Sequence, residues 1–156
     1  MFKKTKQVKE PESFEKGYEY AVFLLSLRLR TTGEIREKME GRGFAPSVVE
    51  KTISNLLKQK YLDDQKYAEI FLDNLKKYKS FGFYGIKKKM MLKKLPPSII
   101  NQILEEGLPV EEEMKIAEKF IKKQGSKIEN QDKKKIAQRL SFRGFRSDVV
   151  SKLVFK

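Results

Sequence analysis

A threefold internal repeat, with a period of about 50 residues, constrains the fold of this chain more than any other feature of its sequence. The string FAPSVV at 44–49 recurs as LPPSII at 95–100 and as FRSDVV at 145–150, at offsets of 51 and 50 residues. Apolar residues on both sides of the string keep these offsets: Ile35, Ile86 and Ile136, then Met39, Met90 and Leu140, then Ile53, Leu104 and Val154. One such unit is too short to bury all its apolar surface, so neighbouring units must share a core.

Within each repeat the apolar residues recur at intervals of three, four and seven, which is the spacing of a helix and not of a strand. We therefore predict three helices in each repeat. The first helices are predicted at 14–29, 64–78 and 111–124, the second at 32–42, 83–94 and 131–143, and the third at 46–59, 97–106 and 148–155. The predicted fold class is all-α, with three tandem three-helix repeats stacked into an elongated, curved molecule.

The repeats also divide the chain into segments. We predict a flexible basic and polar N-terminal tail at 1–13, followed by repeat one at 14–62, repeat two at 63–109 and repeat three at 110–156. The tail has no apolar stretch of the kind that forms a signal peptide. The longest apolar run, at 20–25, is far too short to span a membrane, so we expect no membrane partner.

Residues at the predicted helix ends fit the preferences of helix caps. Thr31 and Glu34 have the three-residue spacing of a capping box, in which side chains and backbone satisfy each other's hydrogen bonds. Asp64 is interpreted as the N-terminal cap of the helix that follows it. A metal or acid/base pair with Asp63 is the less favoured alternative, because one capping Asp already explains the position.

A glycine follows the second helix in two of the three repeats, at Gly43 and Gly144, where a left-handed residue readily ends a helix. Lys94 stands at the equivalent position of repeat two. We therefore expect that this turn either differs from the other two or carries strain.

The chain contains neither Cys nor His. Their absence excludes disulfides, thiolate nucleophiles, Cys/His zinc sites, histidine general bases and Ser-His-Asp triads. The glycines around 41–43 and 82–85 do not form a phosphate-binding loop pattern. We therefore expect no enzyme activity, no cofactor and no metal, and the lack of Cys fits a reducing cytoplasm.

Basic residues outnumber acidic residues by 35 to 21, which gives a net charge of +14. The excess is concentrated in two stretches without any acid, one between Asp73 and Glu105 and the other between Asp132 and Asp148. A surface of this charge favours a polyanionic partner such as nucleic acid, or an acidic groove.

One basic pair recurs in the second helix of every repeat. Its members are four residues apart, and at about 100° per residue both lie on one flank of the apolar stripe. The pairs are Lys38 and Arg42, Lys89 and Lys93, and Arg139 and Arg143, which we call the basic ladder. The ladder is either a track for phosphates or acidic side chains, or a set of long stems that cover the core edge while their charges reach water. Further cations form a supporting basic patch: Lys76, Lys77, Lys79, Lys87, Lys88, Lys94, Lys134, Lys135 and Arg146.

Three aromatic residues, Phe81, Phe83 and Tyr84, lie beside glycines and lysines in front of the second helix of repeat two. Stacking of nucleobases on this loop is one interpretation. Packing in the core is the favoured one, above all for Phe83, because it lies one turn before the core position Ile86.

Four further strings carry a resemblance to a known family. They are LRLRTxxEI at 27–35, YLDDxxYAxxF at 61–71, GxxxI at 82–86 and LxxRGF at 140–145. With these strings the chain resembles the RecX family, bacterial proteins that modulate the RecA recombinase. Three positions depart from the family pattern. Lys60 stands where a glycine is common, Gly85 stands where a basic residue is common, and Lys94 replaces the turn glycine.

The resemblance implies three tandem three-helix repeats and no catalytic chemistry. It also implies a protein that lies along the helical groove of the RecA–DNA filament and restrains ATP hydrolysis, filament extension and strand exchange. The implied partners are the RecA filament and, more weakly without RecA, single- and double-stranded DNA. The chain is expected to be a cytoplasmic monomer whose basic ladder faces DNA or an acidic protein surface.

A second function stays open at this point. The chain could be a sequence-nonspecific DNA-binding module whose three-helix units resemble helix-turn-helix domains. This alternative predicts binding to free DNA that falls steeply with salt and does not depend on RecA.

Overall fold

The computed structural model describes residues 6–124 and 133–155. Within these residues every regular element is an α-helix, and the helices follow one another in three groups of three. They are α1 (Phe14–Leu27), α2 (Thr32–Gly41) and α3 (Pro46–Lys58) in repeat one, α4 (Asp64–Tyr78), α5 (Phe83–Leu92) and α6 (Pro97–Gly107) in repeat two, and α7 (Val110–Lys123), α8 (Lys133–Phe142) and α9 (Ser147–Val154) in repeat three. The predicted all-α class with three tandem three-helix repeats is confirmed.

Two predicted helices are two residues shorter than expected at their C-terminal ends. Helix α1 ends at Leu27, because Arg28 is fully extended and the Arg30 side chain donates a hydrogen bond back to the Leu24 carbonyl (3.2 Å). Helix α5 ends at Leu92, just before the turn that leads into α6. For the second helix of repeat three, the predicted first residues at 131–132 lie outside the described residues.

The chain divides into two compact units. Unit 1 spans Met1–Tyr67 and Lys93–Leu95, and unit 2 spans Ala68–Leu92 and Pro96–Lys156. Unit 1 therefore combines repeat one with the first turn of α4 and with the turn between α5 and α6.

The core of unit 1 is formed by the apolar stripes of α1, α2 and α3. Ile35 and Met39 of α2 and Leu56 of α3 are completely buried. Helix α1 approaches α3 closely at Gly17, where a Cβ atom would lie 2.6 Å from the Val48 side chain. The helical spacing seen in the sequence therefore corresponds to real buried faces.

Two backbone hydrogen bonds hold the N-terminal segment against repeat one. The N–H of Val8 donates to the Arg42 carbonyl, and the N–H of Ala45 donates to the Pro11 carbonyl, both at 2.9 Å. Val8 also packs on the core of the unit. The tail that the sequence predicts to be flexible is therefore anchored at these residues, while residues 1–5 lie outside the described residues.

The core of unit 2 takes apolar residues from all six helices of repeats two and three. Its buried residues include Leu72, Leu75, Ile86, Met90, Ile100, Ile103, Leu104, Ile116, Ala117, Phe120, Ile136, Leu140, Val149 and Val150. The middle helices α5 and α8 each contribute two residues four positions apart, so most of their remaining surface faces away from the core.

The turn after the middle helix has the same left-handed conformation in all three repeats. Its φ angle is 87° at Gly43, 83° at Gly144 and 62° at Lys94. Of the two expectations for Lys94, the strained turn is therefore the correct one. A side chain in this conformation costs roughly 1–2 kcal/mol relative to glycine.

The caps of the middle helices are partly as predicted. Thr31 and Glu34 form the predicted capping box at the start of α2. The prediction for Asp64 is wrong in its target: Asp63 caps α4 by accepting from the Lys66 N–H (3.0 Å). The carboxylate of Asp64 instead accepts from the N–H of Thr32 (2.8 Å), in the first turn of α2. Asp64 is the first residue of α4, but it caps α2, because the free N–H of Thr32 lies within hydrogen-bond distance of its carboxylate.

Candidate nucleic-acid interface

In unit 1 the first turn of α2 is held by two groups from repeat two. The hydroxyl of Thr31 donates to the Lys93 carbonyl at 2.6 Å. Asp64 accepts from the Thr32 N–H, as described above. We call this arrangement a joint: the start of a middle helix, held by the turn and by a carboxylate of the following repeat.

The same joint occurs in unit 2, between repeats two and three. The N–H of Tyr84 donates to the Gly144 carbonyl (2.8 Å), and the carboxylate of Glu113 accepts from the Phe83 N–H (3.0 Å). Glu113 lies 49 residues after Asp64 and does the same task for α5 that Asp64 does for α2. Sequence reasoning missed Glu113 as a joint residue; the matching repeat position was its only signal.

Glu113 is completely buried and accepts three hydrogen bonds. Besides the Phe83 N–H, both the backbone N–H (2.9 Å) and the Nε of Arg146 donate to it. The Arg146 guanidinium also donates to the Leu108 carbonyl (2.9 Å) and lies 4.5 Å from the centre of the Phe83 ring. Arg146, a member of the predicted supporting basic patch, therefore has its charge compensated inside the fold.

Two arginines of the basic ladder pack on aromatic rings. The Arg143 guanidinium lies 4.8 Å from the ring centre of Phe81 and 4.7 Å from that of Phe120. Its Nε donates to a backbone carbonyl of the loop between α4 and α5 (2.6 Å). The Arg42 guanidinium lies 4.8 Å from the ring centre of Tyr20. Both arginines are half-buried. The ladder is interpreted either as a track for phosphates or as side chains that cover the edge of the core. Arg42 and Arg143 fit the second interpretation.

The other four ladder residues differ in exposure. Lys38 and Arg139 are exposed, whereas Lys89 and Lys93 are half-buried. The ammonium group of Lys89 lies 4.4 Å from the ring centre of Phe81, which is also contacted by Arg143. A phosphate therefore has direct access to Lys38 and Arg139, which occupy the first position of their pairs.

The supporting basic patch also divides by exposure. Its exposed members are Lys77, Lys79, Lys88, Lys94, Lys134 and Lys135, and its half-buried members are Lys76, Lys87 and Arg146. Lys76 donates to the Gly107 carbonyl (3.0 Å) and lies 3.5 Å from a carboxylate oxygen of Glu112. Lys115 and, to a smaller extent, Lys76 lower the pKa of the Glu112 carboxyl below its ordinary value. Lys76 thus stabilises unit 2 and is already paired with an acid.

The outward faces of the middle helices carry different charges. Helix α2 exposes Glu37 and Glu40, whereas α5 exposes Lys88 and α8 exposes Lys135 and Arg139. Neither α5 nor α8 contains an acidic residue. The face that suits a polyanion therefore belongs to unit 2.

The aromatic residues before α5 have separate roles. Phe81 and Phe83 are half-buried beneath arginine side chains, as the packing interpretation expects, whereas Tyr84 is 58% exposed. A more exposed ring lies in repeat three, where Phe142, the last residue of α8, is 95% exposed. Sequence reasoning missed Phe142, although its spacing of seven residues from Lys135 already placed both on one helix face.

In residues 6–124 and 133–155, no three His, Cys, Asp or Glu side chains are grouped in a way that could hold a metal ion. None of the helices in these same ranges is both long enough and apolar enough to cross a membrane.

Comparisons with known proteins point to one family. Residues 18–56 match the family model described as "RecX, first three-helix domain". The Regulatory protein RecX of Bacillus licheniformis is 28% identical over 148 residues, which cover 93% of this chain and 56% of that protein. The Regulatory protein RecX of Trichlorobacter lovleyi is 27% identical over 144 residues, 89% of this chain and 94% of that protein. This chain therefore spans about half the length of some relatives and nearly all of another.

The fold has the same relatives. The crystal structure of RecX from Lactobacillus salivarius superposes with a TM-score of 0.75 at 25% sequence identity. The match covers 91% of this chain and 94% of that chain. The arrangement of nine helices over the described residues is therefore shared with a solved structure along almost its full length.

Proposed function

Because the chain belongs to the RecX family, we propose that it is a non-enzymatic regulator of the RecA recombinase in the bacterial cytoplasm. It binds the RecA–DNA filament and mostly inhibits the ATPase and strand-exchange activities of that filament, and so regulates recombination and DNA repair. The observation that carries this proposal is the family match along nearly the whole chain, to relatives that are named regulatory proteins.

The charge distribution supports contact with DNA phosphates in the filament. Three of the exposed cations on the middle helices of unit 2 stand on helix faces without acids, and they are Lys88, Lys135 and Arg139. Half-buried Arg143 and Arg146 are engaged with aromatic rings and with Glu113, so we assign them to the fold and not to the contact. Cations that neutralise phosphates bind more weakly as the salt concentration rises, so binding of this chain to the filament decreases with salt.

The test is RecA ATP hydrolysis on single-stranded DNA, titrated with this protein while the DNA is in large excess. We expect inhibition at protein concentrations far below that of the DNA, because the filament itself is the target. Full ATPase activity until the DNA is coated would contradict the proposal, since the protein would then act by sequestering the template.

That opposite result would favour the alternative function, a sequence-nonspecific DNA-binding module that acts without RecA. The observation behind this alternative is the same acid-free cationic face of α5 and α8. Such a module would bind naked DNA equally well in the presence and absence of RecA, with a steep dependence on salt.

A further inference from the structure

We infer that the joint of unit 2 carries a stacking site for the bases of single-stranded nucleic acid, formed by the rings of Phe142 and Tyr84. The inference deepens the proposed function and rests on it in taking nucleic acid as a partner. The two rings supply flat apolar surface for bases, and cations on the same helices supply contacts for the phosphates between them.

The first observation is the exposure of the rings. Phe142 is 95% exposed, more than any other large apolar side chain in the described residues, and Tyr84 is 58% exposed. Other aromatic residues near this joint are covered: cations pack on Phe81 and Phe83, and Phe120 is buried. Phe142 and Tyr84 are therefore the rings of this joint that a ligand can reach.

The second observation is that the joint brings the two chain segments together. The N–H of Tyr84, at the start of α5, donates to the Gly144 carbonyl at 2.8 Å. Phe142 precedes Gly144 by two residues and ends α8. The segments that carry the two exposed rings are therefore joined by a direct hydrogen bond, at Tyr84 itself and two residues after Phe142. We place one short stretch of nucleotides against both rings.

The third observation is the charge beside the rings. Lys135 and Arg139 precede Phe142 by seven and three residues, which places them on the same side of α8. Lys88 follows Tyr84 by four residues on α5, and all three cations are exposed. Aromatic rings next to exposed cations are the combination that single-strand-binding proteins use.

The sequence repeat shows that this combination is special to one joint. The positions equivalent to Tyr84 and Phe142 in the preceding repeats are Gly33 and Leu92, neither of which has a ring. The site is also specific for single strands, because the bases of a duplex are already stacked on one another and cannot accept a protein ring without being separated.

The test uses the absence of tryptophan from the chain. Replacing Phe142 by Trp (F142W) keeps a stacking ring and makes it the single source of tryptophan emission. We expect oligothymidylate to quench this emission, and an abasic oligonucleotide of the same length to leave it unchanged. Unchanged emission with oligothymidylate would overturn the inference.

A binding measurement provides the second arm. We expect Phe142→Ala and Tyr84→Ala each to weaken binding of oligothymidylate by between about 5-fold and about 100-fold, with the salt dependence unchanged. Phe23→Ala is the matched control, because Phe23 is a 56% exposed ring on α1 of unit 1, and we expect it to bind as the unchanged protein does. Circular dichroism checks that each variant is folded. Normal binding by Phe142→Ala would overturn the inference.

The failure of this inference and the failure of the proposed function give different results. Quenching in F142W without inhibition of RecA would retain the stacking site and contradict the proposed function. Loss of RecA inhibition in Phe142→Ala with normal binding to oligothymidylate would do the opposite, because the ring would then contact protein.

Discussion

Two lysines, Lys60 and Lys94, have left-handed backbone conformations, with φ angles of 60° and 62°. Both stand where the family resemblance or the internal repeat leads one to expect glycine. Left-handed geometry is therefore required by the turn itself, and each lysine adopts it at an energetic cost.

We expect Lys60→Gly to raise the free energy of unfolding by about 0.5–1 kcal/mol, because relief of the strained conformation outweighs the greater flexibility of glycine in the unfolded chain. Urea denaturation measures the change. Lys58→Gly, in the last turn of α3, is the control and should destabilise by roughly 1 kcal/mol, since its conformation is helical. Destabilisation by both variants would contradict the assignment of strain to Lys60.

The buried carboxylate of Glu113 is the hydrogen-bond acceptor for the Phe83 N–H and for Arg146. We expect Glu113→Ala to lower the free energy of unfolding by about 3–5 kcal/mol, because Arg146 and the Phe83 N–H lose a buried partner. Glu111→Ala, two residues earlier at an exposed position, should change it by less than about 0.5 kcal/mol. A loss of less than about 1 kcal/mol at Glu113 would show that the joint does not depend on this carboxylate.

At the scale of helices, each joint holds the start of a middle helix inside its own unit. In both units the first free amide of a middle helix is satisfied by a carboxylate from the following repeat, Asp64 for α2 and Glu113 for α5. A helix N-terminus leaves its first N–H groups without partners inside the helix, so an acid supplied from outside stabilises the helix and fixes its position.

Asp63 and Asp64 are neighbours in sequence but cap different helices, α4 and α2 respectively. We expect Asp64→Ala to cost roughly 1 kcal/mol and to speed hydrogen exchange at the Thr32 amide, while the Lys66 amide keeps its protection. Asp63→Ala should give the reverse pattern. Faster exchange at Lys66 in the Asp64 variant would mean that Asp64 caps its own helix after all.

The sequence is sufficient to predict the helices but not the joints. Helix positions follow from apolar spacing within windows of about 11–18 residues, so the fold class, the repeats and most helix ends are predictable. The partner of Asp64 lies 32 residues earlier in the chain, and no local pattern indicates it. For the same reason the rings that cover Arg143, at Phe81 and Phe120, could not be assigned from sequence spacing.

At the scale of the whole molecule, the cations fall into two groups: those that make contacts within the fold and those that are exposed to solvent. Arg42, Arg143 and Arg146 are engaged with rings or a buried acid, whereas Lys135 and Arg139 are exposed. The sequence predicts the excess of +14 and its location along the chain. Which cations remain available depends on tertiary packing.

Exposed cations of unit 2 should therefore dominate DNA binding. We expect combined substitution of Lys88, Lys135 and Arg139 by Glu to weaken single-stranded DNA binding and to lower the slope of log K against log salt by about 2, at roughly 0.7 for each lost phosphate contact. Helicity should not change, because all three side chains are exposed.

The matched control reverses three exposed lysines of unit 1, Lys9, Lys58 and Lys66, with the same change in net charge. We expect only a small effect on the salt slope in this variant. An equal loss in both variants would mean that net charge alone, and not the face of unit 2, drives binding.

The anchored N-terminal segment has a consequence for how an array of this kind can change by duplication. The carbonyl of Arg42 accepts from Val8, while the equivalent carbonyls of Lys93 and Arg143 accept from the preceding repeat, at Thr31 and Gly82. Residues 8–11 thus stand in for a repeat that would precede repeat one. A duplicated unit inserted between existing repeats needs only a new pair of joint residues. A unit inserted ahead of repeat one must first displace residues 8–11 from repeat one. A repeat is therefore added more easily inside the array than in front of it.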